Sequence, residues 1–214
     1  MMTSAYNESY LDDAMQNLGD MMEYAVCDCG YDPDEFLGWF ISSGIASKFE
    51  KGNPKYVSGM SGIELTLEVL RATNISYNMV VCEEHFYKGR EYWAGWILAY
   101  YQWITGKRFE DIVNDGLSMS TILSMYILHE ADVSKFVESA NEIINRNKAK
   151  EKSKLHKIRK ARGFTQQQLS EASGVTLRMI QLYEQKQNDI NKAQVQVVVS
   201  LARALGCDVQ DLLE

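Results

Sequence analysis

Residues 165–184 read TQQQLSEASGVTLRMIQLYE, and this spacing predicts a helix, a tight turn and a second helix in close succession. Thr165 and Gln168 stand in the T-x-x-Q relation of a capping box, where each side chain satisfies a backbone N–H at the other's position. Leu169 and Ala172 supply an apolar side at i, i+3. Gly174 offers the backbone freedom that a tight inter-helix turn demands. Thr176 is placed to cap the second helix, and Ile180 and Tyr183 return that helix to the same core. Leu177, Arg178, Gln181 and Leu182 are then left facing outward, and a helix presented in this way fits the major groove of B-DNA. The bland alternative is a helical hairpin with a solvated outer face.

The flanks complete a five-helix unit. A first helix is expected from about Lys154 to Arg162, burying Leu155 and Ile158 and stopped by Gly163. After the loop QKQNDIN, a helix is expected from about Lys192 to Leu205, with Val195, Val198, Leu201, Ala202 and Leu205 as its stripe. That 3.6-residue period outweighs the β-like run Val197-Val198-Val199. Asp208 can cap a last short helix carrying Val209 and Leu212.

With GFTQQQL, SGVT, IQLYEQ and LARALGCDVQDLL in order, residues 155–213 resemble the helix-turn-helix family of the lambdoid repressors and Cro, the Xre family. The resemblance implies a five-helix lambda-repressor-like DNA-binding domain. It implies that Gln166 contacts a backbone phosphate and that Leu177, Arg178 and Leu182 reach base edges. It also pairs Arg159 with Glu184 in a structural salt bridge. The residue chemistry sorts the rest. Arg178 suits guanine O6 and N7, while Leu177 and Leu182 suit a thymine methyl. Gln181 stands beside them for a base or a phosphate. Gln166, Gln167, Lys186 and Lys192 suit the backbone, where they position without specifying, and Thr176 opens the reading helix. Two positions depart from the family pattern: Lys186 stands where Gly is common, and Ser170 where Ala is usual. Such domains bind palindromic operators in double-stranded DNA as dimers.

Charge divides the chain. Residues 1–145 hold nine Lys/Arg against 22 Asp/Glu and residues 146–214 hold 13 against seven, so balances of −13 and +6 make up the net −7. A basic end on an acidic chain is suited locally to phosphates. Residues 145–154, NRNKAKEKSK, carry almost no apolar side chain and read as a linker or as the exposed end of a preceding helix. The expected organisation is therefore an acidic helical domain over 1–146, a Lys-rich linker over 147–154 and the DNA-binding domain over 155–214. Two prolines and little β-type alternation favour an all-α fold throughout. The greasiest stretch, Tyr92–Ile104, is short and broken by Gly95 and Gln102, so no membrane span is expected. With no signal-peptide pattern at the N-terminus and four sparse cysteines, a cytoplasmic protein with reduced thiols is expected.

In the acidic half, Leu11, Met15, Leu18, Met22 and Ala25 form one stripe. Asp32-Pro33-Asp34-Glu35 is a strong helix start, after which Phe36, Trp39 and Phe40 face a core. KGNPKYVSGMSG reads as a loop, with Ser61 capping the helix beyond it. Trp93, Trp96, Tyr100 and Trp103, with Leu98 and Tyr101 broadening them, fall on one face of a helix expected to be buried and central, or alternatively to bind a partner. SGIASKFEKGNPKYVSGMSGIEL and YWAGWILAYYQW resemble uncharacterised antitoxin-like proteins of Firmicutes, which implies a toxin as a possible partner. Dimerisation is the other role expected of this half. Cys27, Cys29, Cys82 and His85 are weighed as a zinc set, but C-x-C is unusual for structural zinc. Glu83, Glu84 and His85 lack an accompanying nucleophile or phosphate loop, and His129-Glu130 reads as a solvated helix end. No metal, cofactor or catalysis is expected.

Overall fold

The computed structural model describes residues 4–77, 88–150 and 152–214, and side chains at 149 and 150 are left aside. Cys82, Glu83, Glu84 and His85 lie outside the described residues. The chain divides into two compact units, Met1–Asn145 and Arg146–Glu214. Among the described residues every regular element is helical, and none is long and apolar enough to cross a membrane. The fold is all-α.

In the first unit, α1 (Leu11–Glu23) buries Leu11, Met15, Leu18 and Met22, and a wider turn over Tyr24–Asp28 carries the stripe on to Ala25. Asp32 accepts from the backbone of Asp34 and Glu35, both at 3.0 Å, and starts α2 (Pro33–Ser42). There Phe36 and Phe40 are fully buried and Trp39 is half-buried. α3 (Ile45–Phe49) follows. The KGNPKYVSGMSG stretch is not simply a loop. Asn53 accepts from Lys55 N at 3.1 Å and Pro54 takes the first helical position, so α4 (Pro54–Val57) forms within it. A Ser61–Glu64 capping box opens α5 (Gly62–Ala72).

α6 (Arg90–Thr105) packs against α1. Its most buried side is only partly the expected face, sharing Leu98 and Tyr101 with it. Ala94, Ile97, Leu98, Ala99 and Tyr101 are fully enclosed, whereas Trp93, Trp96 and Tyr100 are half-buried at the flank. Close approach explains the shift. A Cβ at Gly95 would stand 2.3 Å from the Leu18 carbonyl oxygen, so α6 meets α1 on small residues and bulky rings are displaced to the side. Trp103 is buried as expected and donates from Nε1 to Tyr6 O at 2.9 Å. α7 (Phe109–Asn114) and α8 (Met119–Ser124) follow, with Phe40, Phe49 and Phe109 meeting edge to face. α9 (Val133–Lys150) places Phe136, Ala140 and Ile144 in this core. Residues 147–150 of the expected linker belong to α9.

The second unit holds α10 (Lys154–Ala161), α11 (Gln166–Ser173), α12 (Leu177–Glu184), α13 (Val195–Leu205) and α14 (Val209–Leu212) around Leu155, Leu169, Ile180, Leu201, Leu205 and Leu212. Lys154, the last residue of the expected linker and the expected start of the first helix, opens α10 after a Ser153 cap that accepts from His156 N at 3.1 Å. α13 starts later than expected, because Asp189 caps a separate turn over Ile190–Lys192 and Gln194 becomes the residue before the helix. Val195 is consequently 75% exposed and the buried stripe begins at Val198. Ala172 is exposed as well. Val175, from the turn itself, joins the core in company with Leu169.

Candidate nucleic-acid interface

The interface is built from local hydrogen bonds outward. Thr165 N donates to Gln168 Oε1 at 2.8 Å and Gln168 N donates to Thr165 Oγ1 at 3.1 Å, closing the start of α11. Gly174 ends that helix at φ 72°, a left-handed conformation that side chains resist. The turn is tied back by Ser170, whose hydroxyl donates to Val175 O at 2.6 Å. An alanine there leaves this bond unmade, so the departure at Ser170 has a structural use. Thr176 accepts from Met179 N at 3.4 Å and starts α12.

Ile180 and Tyr183 face the core, and the opposite side of α12 carries Arg178, Gln181 and Leu182 at the i, i+3, i+4 spacing of one helix face. Arg178 is exposed; Leu177, Gln181 and Leu182 are half-buried, so they are less outward than the sequence alone implies. Thr176, Gln167, Lys186 and Lys192 are exposed and Gln166 is half-buried. Several of these side chains have protein partners. Gln167 Nε2 donates to Glu171 Oε1 at 2.9 Å, Lys186 Nζ lies 3.5 Å from Glu214 Oε2, and Lys192 Nζ lies 3.4 Å from Asp189 Oδ2. Lys186 takes the left-handed backbone, at φ 55°, that the usual glycine would hold without strain.

What fixes α12 is a buried carboxylate. Glu184 accepts from Arg159 Nε at 2.5 Å and Nη2 at 2.9 Å, and from Gln166 Nε2 at 2.8 Å. His156 Nδ1 is 3.0 Å from the same carboxylate, and Arg159 Nη1 donates to Phe164 O at 2.6 Å. α10, α11 and α12 thus meet at one side chain. Burial by itself would raise the Glu184 carboxyl, but the donors from Arg159, Gln166 and His156 and the Arg159 charge outweigh it and hold the group below its ordinary range. The sequence reading gave Gln166 to a phosphate and passed over His156. Its only advance sign was the i, i+3 relation to Arg159.

Residues 155–212 match a helix-turn-helix family model. No curated protein and no solved structure matches the chain. The C-terminal unit is a DNA-binding helix-turn-helix of the Xre-like kind found in transcriptional regulators. The matched segment stops short of the N-terminal unit, and the likeness of that unit to antitoxin-like proteins has no support from a match.

The weighed zinc set is represented among the described residues by Cys27, exposed, and Cys29, half-buried. Although the residue is exposed, its sulfur is partly desolvated, and with Glu91, Glu23 and Asp28 nearby the Cys27 thiol is pushed up to about 11, which keeps it protonated and a poor nucleophile at neutral pH. His129 stacks on Tyr126 with ring centroids 4.3 Å apart and is exposed, as is Glu130.

Proposed function

We propose that the chain is a sequence-specific transcriptional repressor that binds a palindromic operator in double-stranded DNA as a homodimer, acting in the cytoplasm. In this reading α12 enters the major groove with Arg178 as its principal base-reading residue. Leu177 and Leu182 meet thymine methyls, and the surrounding Gln167, Lys186 and Lys192 meet phosphates. The N-terminal unit mediates dimerisation, partner binding or both, and no catalytic step is required. The observation that carries the reading is the Glu184 cluster, which holds α12 rigidly while Arg178 stands exposed on its outer side. A reading helix must be fixed before its contacts discriminate. The test is a binding-site selection and affinity measurement on Arg178→Ala. A loss of about 1–3 kcal/mol with relaxed preference at one base pair is expected. Unchanged affinity and preference would exclude Arg178 as the reader.

A second reading is an antitoxin that neutralises a toxin through the N-terminal unit and autoregulates its operon through the helix-turn-helix. It is favoured by the balance of −13 over residues 1–145, which suits a basic partner. Co-purification with the products of adjacent genes tests it, and consistent failure to form a complex would remove it.

A further inference from the structure

α10 and α14, with Arg162 and Cys207 beside them, border an open cleft of about 700 Å³, within the size range of small-molecule sites. Its apolar surface comes from Ile158, Ala161 and Cys207, and its cations are Lys154, Lys157 and Arg162. Lys154 Nζ donates to Leu213 O and Arg162 Nη2 donates to Gly206 O at 3.0 Å. An ammonium has three donors and a guanidinium five, so each cation keeps donors for another acceptor. Asp211, also on the lining, is turned to its own helix start, where its Oδ2 accepts from Asp208 N at 3.0 Å. The remaining donors of Lys154 and Arg162, with the cationic balance of the lining, therefore favour an anion. Burial, assisted by Asp211 and Asp208 against Arg162, raises the Cys207 thiol. The sulfur stays neutral and joins the apolar floor.

The cleft is separate from the support of α12. At 100° per residue, Lys154, Lys157 and Ala161 lie on the flank of α10 opposite His156, which with Arg159 reaches Glu184. Filling the cleft leaves that cluster untouched. A phosphate backbone would satisfy the cations but leave the apolar floor uncovered, whereas a ligand with both an apolar body and an anionic head meets both.

We propose that this cleft binds a small amphipathic anion, an acyl or aryl carboxylate, with its body on Ile158, Ala161 and Cys207 and its head group at Lys154, Lys157 and Arg162. The site is independent of which DNA sequence α12 reads. The experiment is amide shift mapping on the ¹⁵N-labelled full chain, titrated separately with octanoate, 2-naphthoate and neutral 1-octanol. Saturable shifts at Lys157, Ala161 and Gln210 are expected from at least one carboxylate; which of the two binds tells a chain-like from a flat body. Lys157→Glu should weaken binding about ten-fold or more, as expected for loss of a charge-assisted contact. Ala161→Trp should abolish it by filling the cleft. Both positions are exposed, and an unchanged far-UV spectrum verifies folding. The proposal is overturned by the absence of saturable shifts at these amides, by equal binding of 1-octanol, or by indifference to both variants. Displacement of the carboxylate by random-sequence duplex DNA would assign the cations to phosphate and overturn it equally.

Discussion

Glu184 is the residue on which the C-terminal unit turns. Its carboxylate is almost fully enclosed with Arg159, and their attraction has to offset the desolvation of two charges. Such a pair contributes modestly as a pair, but removing Arg159 takes away the guanidinium that compensates the buried Glu184 charge and leaves only Gln166 and His156 beside it. Arg159→Met should therefore cost about 3–5 kcal/mol. Urea unfolding followed by far-UV circular dichroism is the suitable readout, because all four tryptophans, Trp39, Trp93, Trp96 and Trp103, lie in the other unit. The depressed Glu184 ionisation fixes the sign of the pH effect. Its folded value lies below the unfolded one, so the stabilisation is complete above the ordinary glutamate range near roughly 4.3. It is lost as pH falls through the folded value. Glu184→Gln should start less stable at neutral pH and show a shallower loss of stability below about pH 4.3. An acid limb equally steep in both proteins would show that other carboxylates govern acid unfolding.

At the scale of elements, helix starts were legible because their signals are local. The T-x-x-Q box before α11, Asp32-Pro33 before α2 and Ser61 before α5 each act within one turn of chain. Asn53-Pro54 carries the same sign as Asp32-Pro33, yet the surrounding glycines and serines obscured α4. Which helix side would be buried was less legible, since that depends on a distant neighbour. The tryptophan stripe of α6 has the right period, but the approach of Gly95 to Leu18 decides which flank faces α1. Within the candidate interface, the outward Arg178 followed from spacing. The Gln166 bond to Glu184 did not, because it needs the meeting of three helices. Gly95→Ala tests the α1–α6 contact. The added methyl meets the Leu18 backbone most closely, with Met22 Cγ beside it, and backbone cannot swing aside, so the helices must separate, at a cost of about 1–3 kcal/mol or more. Tryptophan fluorescence during urea unfolding reads this directly, since Trp93 and Trp96 share the helix. An unchanged midpoint would mean that the two helices can part freely.

For the whole molecule, electrostatics set the conditions under which the basic unit can work. A chain of net −7 is repelled on average by DNA, while its last 69 residues carry a balance of +6, so binding must rely on a few well-placed cations at short range. Lys192 is a good candidate, with its side chain 85% exposed and only a 3.4 Å pairing with Asp189, of a kind worth little in water. If it meets a phosphate, neutralising it removes counterion release without changing base preference. The size of the change also counts subunits. Each lost phosphate contact lowers the slope of log affinity against log salt by about 0.9. A homodimer on a palindrome carries two copies of Lys192, so Lys192→Gln should lower the slope by about 1.8 rather than about 0.9. Fluorescence anisotropy on a selected operator across a salt series measures it. A change near about 0.9 would indicate one bound chain per operator, and no change would place Lys192 away from the phosphates. Arg178→Ala in the same series should instead alter which base pair is preferred, which separates the residue that reads from the residue that holds.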